Sequence, residues 1–265
     1  MRPFAAAALL TSLVLAPAAG QQPLTAEAIA RRVQDRDTGR DSRATMRMKL
    51  FDRRNRSRER VMTVLSLRAD SKNDRLLIRF TYPSDIRGTG FLVWERPDGD
   101  DERFLYLPAL GRVRRIAGSE AQESFVGSDF TYEDIGGREF DDYSYALRDD
   151  SASWTPPSGG AARPAWRLES RRRDASARFP RVVSLILKDS YVVVSAEVYN
   201  RRDEKQKVYT VRRLEQVEGI WTATDAEMTN ALEKSRTELT IEKVDYNVGL
   251  EASDFTRRAL ESGAR

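Results

Sequence analysis

The feature that most constrains this chain is a two-residue alternation of apolar and polar side chains that recurs along most of its length. Residues 44–50 read Ala-Thr-Met-Arg-Met-Lys-Leu, and residues 76–82 read Leu-Leu-Ile-Arg-Phe-Thr-Tyr before Pro83. Because successive side chains of a strand point to opposite faces of a sheet, this period indicates strands. About a dozen such segments at regular spacing predict a mainly β protein with few helices, in which one antiparallel sheet curls into a barrel or half-barrel.

Two segments depart from that period. Thr25 is a suitable N-cap for a short helix over residues 26–33, with Ile29 and Val33 on one face. Residues 117–137 are long, polar and irregular for a loop inside a compact domain, which is typical of a functional or covering segment. Its apolar side chains should pack against the mouth or core of the sheet as a cover, with Asp129 capping a short helical turn; they are Phe125, Phe130, Tyr132 and Ile135.

The composition excludes several kinds of site. The chain has no cysteine and no histidine, which excludes disulfide scaffolds, thiolate zinc sites and catalysis that depends on either side chain. There are 45 Lys and Arg against 41 Asp and Glu, a net charge of +4. Because the excess is small relative to the total charge, it does not favour a nucleic-acid partner. We expect no cofactor and no metal.

The N-terminus is typical of a secretory signal peptide. A positive start is followed by an apolar run over residues 4–15 and by small residues at 16–20 that suit a cleavage site. The run is short for a membrane anchor, since a bilayer core of about 30 Å needs about 20 apolar residues. The sequence therefore predicts a signal peptide at 1–20 and a single exported domain at 21–265, soluble in the periplasm.

Carboxylates cluster in and after the irregular segment, at Asp129, Glu133, Asp134, Asp141 and Asp142. Paired carboxylates can act as general acid and base or hold Ca²⁺, although the spacing of an EF-hand loop is absent. The favoured interpretation is helix capping and salt bridges to the many arginines. No nucleophile–base motif is present, so we expect that the protein is not an enzyme, with a carboxylate hydrolase as the disfavoured alternative.

A basic run lies within one predicted strand, where Arg112 and Arg114 share a face and Arg115 takes the other. The run could contact an anion or a phospholipid head group. It could equally be a solvated strand face, or the ion-pair partner of the acidic segment downstream. The sequence favours this second interpretation.

Aromatic and methionine side chains are frequent on the strands. In most β proteins they form the core, but in a half-open barrel the surplus on the inner face lines a cavity for an apolar ligand. Methionine suits ligands of varying shape because it is flexible and polarizable. The residues predicted to line such a cavity, each on an apolar strand face, are Met46, Met48, Ile78, Phe80, Phe91, Val93, Phe104 and Tyr106.

Several segments resemble the outer membrane lipoprotein-sorting protein family, whose members have LolA-like domains. They are FTYP at residues 80–83, DIRGTGFL at 85–92, FLYLPALGRVRRI at 104–116, SFVGSDFTYEDI at 124–135 and the ending FTRRAL at 255–260. The resemblance covers nearly the whole mature chain. To LolA itself, the dedicated lipoprotein chaperone, the similarity is at the level of the fold.

The resemblance implies a curled antiparallel sheet that forms an incomplete, half-open barrel, with helices or a loop over its open side. It also implies an apolar cavity that takes acyl chains. It implies a periplasmic carrier of a lipid or lipoprotein between the inner and outer membranes. Members of this broader family often accompany RND-type inner-membrane transporters, so the alternative is an accessory subunit of such a transporter without lipid cargo of its own. We expect a monomer. Since a fold does not determine a function, the cargo stays open.

Overall fold

The computed structural model describes residues 24–68, 74–96, 101–138, 140–174 and 176–262. The predicted signal peptide lies outside them. The described helices are α1 (Ala26–Gln34), α2 (Tyr132–Gly136) and α3 (Arg257–Ser262). The strands are β1 (Asp41–Phe51), β2 (Ser57–Arg68), β3 (Asp74–Tyr82), β4 (Gly90–Trp94), β5 (Glu102–Leu107), β6 (Arg112–Ile116), β7 (Tyr143–Asp149), β8 (Ser153–Trp154), β9 (Arg163–Arg172), β10 (Arg181–Leu187), β11 (Val193–Tyr199), β12 (Lys205–Val217), β13 (Ile220–Asn230) and β14 (Ser235–Tyr246).

The strands form an antiparallel sheet with the order β6-β5-β4-β3-β2-β1-β14-β13-β12-β11-β10-β9-β7, and β8 pairs with β9. Strands β6 and β7 end this order, so the sheet is not closed into a barrel. It is strongly curled. Leu76 on β3 and Val193 on β11 line one cavity, although six strand spacings separate them, about 28 Å in a flat sheet. The prediction of a mainly β, incomplete barrel is confirmed.

The register explains why the alternating sequence folds with one concave apolar face. Met62 on β2 lies opposite Met46 on β1 and opposite Phe80 on β3, and Ile78 on β3 lies opposite Phe91 on β4. Cross-strand pairs of this kind stabilise a sheet. The concave side of β1–β5 thereby presents a continuous band of large apolar side chains.

The convex side of the same strands is covered by the C-terminal end of the chain. Phe255 and Leu260 are fully buried against strand residues such as Leu77. The Trp94 indole donates a hydrogen bond to the Phe255 carbonyl oxygen at 2.6 Å. A Cβ on Gly90 would lie 2.6 Å from a Leu260 methyl group, so glycine permits this close approach of α3.

Helix α1 confirms the prediction made for residues 26–33. The Thr25 hydroxyl accepts a hydrogen bond from the Ala28 amide at 3.1 Å, as an N-cap does. Ile29 is fully buried against Leu168 and Ile186 of β9 and β10. The helix therefore lies against the C-terminal half of the sheet. In the described part of the chain no helix is long and apolar enough to span a membrane.

Candidate functional site

An apolar cavity of about 610 Å³ lies on the concave side of the sheet. Ligand sites typically have volumes of about 300–1,000 Å³ and mostly apolar walls. One wall comes from β1–β3 and the other from β11–β14, with α2 and the end of α1 beside them. The apolar side chains of the two walls are Met46, Met62, Val64, Leu76, Ile78, Val193, Ala196, Val198, Tyr209, Ala223, Ala226, Met228 and Leu239.

A second cavity of about 480 Å³ adjoins the first. Both are lined by Val33 at the end of α1, by Leu76 and Val193, and by Ile135 of α2. The second extends between α1 and strands β2–β4. Together the two cavities lie along the concave face beside α1 and α2.

The predicted lining residues divide into three groups. Met46 and Ile78 line the first cavity, and Val93 lines the second. A second group shares the concave face but lies in the packed core, with at most 2 % of each side chain exposed; its members are Met48, Phe80 and Phe91. Whether any of these side chains contacts a ligand stays a prediction.

The third group, Phe104 and Tyr106, corrects the prediction. Both belong to the convex cluster and pack with the C-terminal segment, while Leu105 between them faces the concave core. Every residue of 104–107 is apolar or aromatic, so alternation alone cannot identify the inner face. The face is decided by the C-terminal segment, far away in sequence, which supplies Leu250, Phe255 and Leu260 as partners for Phe104.

Sequence reasoning missed the second wall of the cavity, on β11–β14. Ala196, Ala223 and Ala226 line it. A prediction based on large apolar side chains does not select alanine. Alanines at inward positions of a strand leave space in front of the sheet. Together with Met228 they were the available signal for an open volume at this half of the sheet.

The irregular segment packs against the core of the sheet, and its role as a cover stays a prediction. The Phe125 side chain has no exposed surface. Its ring centroid lies 5.9 Å from that of Phe80, 5.4 Å from that of Phe91 and 5.5 Å from that of Tyr132, distances typical of favourable aromatic pairs. Phe130 also belongs to this cluster. The aromatics therefore fill the part of the curl in front of Phe80 and Phe91 and bound the cavity at that end.

Polar contacts attach this segment to the sheet. The Thr237 and Ser235 hydroxyls of β14 donate hydrogen bonds to the Asp129 carboxylate at 2.7 and 2.5 Å. The buried Lys207 ammonium donates to the Asp129 carbonyl oxygen at 2.6 Å, and burial lowers the pKa of Lys207. Arg60 of β2 donates to the Val126 carbonyl oxygen. The prediction that Asp129 caps a helical turn is wrong, because its carboxylate is bound to β14.

Helix α2 is capped by Thr131 and Asp134 instead. The Thr131 hydroxyl accepts from the Asp134 amide and the Asp134 carboxylate accepts from the Thr131 amide, each at 2.9 Å. Burial raises the pKa of Asp134, but the Arg138 guanidinium and the Thr131 amide outweigh it, so the pKa lies below its usual value. A Cβ on Gly136 would lie 3.1 Å from a Val93 methyl group, so glycine lets α2 lie close to the sheet.

The other clustered carboxylates form ion pairs, as the favoured interpretation holds. The Arg172 guanidinium lies 2.7 Å from the Glu133 carboxylate and 2.7 Å from that of Asp142. The Tyr143 hydroxyl also donates to Glu133, at 2.9 Å. Glu133 and Asp129 thus have separate sets of partners. Within the described ranges no group of three potential metal ligands occurs.

The basic run lies on β6, the edge of the sheet. Arg112, Arg114 and Arg115 are exposed, and Arg114 pairs with Glu120 at 2.7 Å. A polar groove of about 1340 Å³ begins beside Arg115 and is lined by both arginines and carboxylates. Its mixed charge makes it unsuitable for an acyl chain.

Comparisons with known proteins agree with this architecture. A family model described as an uncharacterized protein matches residues 72–262. A crystal structure named as an outer membrane lipoprotein-sorting protein domain from Vibrio parahaemolyticus is 31% identical, with a TM-score of 0.80, over 89% of this chain and 98% of that one. A DUF1329 family protein from Desulfovibrio piger is 30% identical, with a TM-score of 0.78, over 89% of this chain and 97% of that one.

A LolA superfamily protein from Nitrosomonas europaea has the same fold at 17% identity, with a TM-score of 0.66 over 88% of this chain and 98% of that one. No curated protein matches the sequence. The fold is of the LolA type. The identities of 30% and more over most of the chain extend the likeness beyond the fold, and the chain therefore belongs to the outer membrane lipoprotein-sorting protein family, with a LolA-like domain.

Proposed function

We propose that the protein is a periplasmic carrier that binds acyl chains of a lipid or lipoprotein in the concave cavity and transfers them between the inner and outer membranes. The observation that carries the proposal is the apolar cavity of about 610 Å³ with its adjoining space of about 480 Å³. Membership of a lipoprotein-sorting family supports it. The predicted signal peptide supports export, and the carrier acts as a monomer that makes and breaks no covalent bond.

The energetics suit a carrier. Burial of an acyl chain contributes about 0.8 kcal/mol per CH₂ relative to water. A bilayer offers the same chain a similar gain, so transfer between cavity and membrane is close to balanced. Small differences in contact with the donor and acceptor membranes can then set the direction of acyl-chain transfer. Helices α1 and α2 both border the cavities, and a displacement of either would widen access to them.

Mass spectrometry of an organic extract tests the proposal. Protein purified from the periplasm without detergent should contain lipid or acylated peptide at a constant molar ratio. An uncharged fluorescent probe, N-phenyl-1-naphthylamine, should bind to the delipidated protein and be displaced by long-chain amphiphiles. Protein without extractable lipid that also fails to bind the probe would contradict the carrier function.

One observation favours the alternative of an accessory subunit of an RND-type transporter. Phe80, Phe91 and Phe125, each at most 1 % exposed, fill part of the N-terminal half of the curl, which reduces the space left for an acyl chain. If the cavity proves empty, co-purification with an inner-membrane transporter becomes the decisive measurement. A complex that forms with lipid-free protein would support this alternative.

A further inference from the structure

Two cations line the apolar cavity among the described residues, Arg138 and Arg36. The Arg138 guanidinium is paired with the Asp134 carboxylate at 2.6 Å. Arg36 lies just after α1, and the first cavity is also lined by Met46, Val64 and Tyr209. Its side chain is half-buried, and burial lowers the pKa of its guanidinium despite the nearby Tyr246 and Tyr209. Desolvation of a charge is unfavourable unless a partner compensates it.

The contacts of Arg36 do not supply that compensation. Its guanidinium donates one long hydrogen bond, 3.4 Å, to the Trp221 carbonyl oxygen. Within the described residues no carboxylate lies within 4.0 Å of it. The adjacent Asp37 is exposed, and its carboxylate accepts from the Gly39 amide instead. Arg36 therefore has unused donors at the cavity.

The nearby Arg68 shows what a structural arginine looks like in this region. Its guanidinium donates to the main-chain carbonyl oxygens of Arg36 at 2.7 Å and Gln34 at 3.1 Å, and it pairs with Asp74 at 3.3 Å. These bonds hold the backbone that follows α1. The position of the Arg36 backbone is thus determined by Arg68, while its own side chain is left for another role.

Tyr209 supplies a second donor at the same place. It lines the cavity from β12, and its ring lies 6.3 Å from that of Phe130. Its hydroxyl makes no hydrogen bond to the described residues. Burial raises the pKa of Tyr209 to about 12, so the hydroxyl stays protonated and able to donate at neutral pH.

We propose that Arg36 and the Tyr209 hydroxyl bind the anionic head group, a carboxylate or a phosphate, of an amphiphile whose acyl chain occupies the cavity. The inference rests on the proposed carrier function and adds a selectivity to it. The planar guanidinium of arginine presents paired donors that match the oxygens of either group. An anion at this position neutralises Arg36. Most of the cavity lining is apolar, and the two carboxylates that also line it, Asp134 and Glu133, are paired with Arg138 and Arg172.

Competition against N-phenyl-1-naphthylamine at pH 8 tests this selectivity. The competitors are hexadecanoic acid, hexadecyl phosphate and hexadecanol, which share one chain and differ in the head group. Wild-type protein should bind at least one of the two anions about tenfold more tightly than the alcohol, the size expected for a charge-assisted hydrogen bond. The two anionic arms distinguish a carboxylate from a phosphate ligand.

Variants assign the effect to the residues. Arg36→Met should remove the preference for the anion and leave the affinity for hexadecanol unchanged, and Tyr209→Phe should reduce the preference by a smaller factor. Arg43→Met is the matched control, because Arg43 is exposed on β1 and should keep the full preference. If Arg36→Met fails to fold, the head-group site is tested by Tyr209→Phe and by the affinities of the wild-type protein for the two anions and the alcohol.

The outcomes separate the two proposals. Equal wild-type affinity for the alcohol and both anions would overturn the head-group site while the carrier function stands. An anion preference that survives in Arg36→Met would also overturn the site. If no amphiphile displaces the probe and none is extracted from the protein, the carrier function itself fails, and the head-group site fails with it.

Discussion

The two halves of the sheet share one architecture and differ in how they are filled. The aromatic segment of residues 125–132 packs on part of the concave side of β1–β5, and the C-terminal segment covers their convex side. The rest of the concave side of β1–β3 forms one wall of the cavity, and β11–β14 form the other. One antiparallel sheet can therefore be packed core along one part and cavity wall along another, depending on which parts of the chain return to cover it.

The convex faces differ in the same way. In the N-terminal half, α3 and its preceding turn bury apolar side chains. In the C-terminal half, arginines and carboxylates pair across strands. Glu169 of β9 accepts hydrogen bonds from Arg148 at 2.7 Å and Arg171 at 2.6 Å, and Arg212 of β12 lies 2.7 Å from Asp225. Ion pairs of this kind leave the outer face open to water.

The largest expected effect is in the packed half. Phe125→Ala should lower the free energy of unfolding by about 3–5 kcal/mol, because a fully buried aromatic leaves a cavity that the rigid sheet cannot close. Chemical denaturation measures this. Phe51→Ala is the control, since Phe51 is half-buried at the end of β1 and should cost much less. An equal decrease in the free energy of unfolding in both variants would contradict a packed core around Phe125.

The convex cover gives the next largest effect. Leu260→Ala should cost about 2–5 kcal/mol, since Leu260 is fully buried against the convex face. In this variant hydrogen exchange should show faster opening of β4 than of β12, because β4 is one of the strands on which α3 packs. Leu232→Ala is the control, because Leu232 is 59% exposed. A loss below about 1 kcal/mol for Leu260→Ala would show that α3 is not part of the core.

The ion pairs of the other half predict a pH dependence. The hydrogen bond from Arg148 has the largest influence on Glu169 and, with that from Arg171, holds its pKa below the usual value despite burial. A lowered folded-state pKa means that this stabilisation is full above the unfolded pKa of about 4.3 and is lost as the pH falls through the folded one.

Glu169→Gln should therefore cost about 1–3 kcal/mol at pH 7 and much less in acid. Denaturation curves at pH 7 and pH 3 measure the difference. Glu215→Gln, on the exposed part of β12, is the control. If Glu169→Gln lowers the free energy of unfolding equally at both pH values, Glu169 has a packing role rather than an ionic one.

The smallest effect on stability is expected at the cavity. Ala226→Phe places a ring in the open volume and should change the free energy of unfolding by less than about 1 kcal/mol, whereas overpacking of a filled core costs about 1–3 kcal/mol. The same variant should displace the fluorescent probe from the site. Thr45→Phe, at a position alternating with the inward Met46, is the control that should keep probe binding. Normal probe binding in Ala226→Phe would place the ligand elsewhere.

Much of the fold was predictable from local pattern. Period-two alternation in segments such as residues 44–50 requires strands with one buried face, and the Thr25 cap with Ile29 and Val33 predicts α1. The resemblance over residues 80–135 identified the family. These signals are local, since backbone geometry and side-chain direction are set within a few residues. They determined an antiparallel, curled sheet with an aromatic segment inside it.

The tertiary structure alone decided which side of each strand faces the curl and where the volume stays open. Residues 104–107 are apolar on both faces, and only the docking of the C-terminal segment turns Phe104 outward. In the sequence, Arg36 is an ordinary polar residue after a predicted helix. Only the curl of the sheet brings Tyr209 of β12 to the same cavity as Arg36. These choices depend on contacts between distant parts of the chain, because burial is a property of what packs on a surface and not of the residue that presents it.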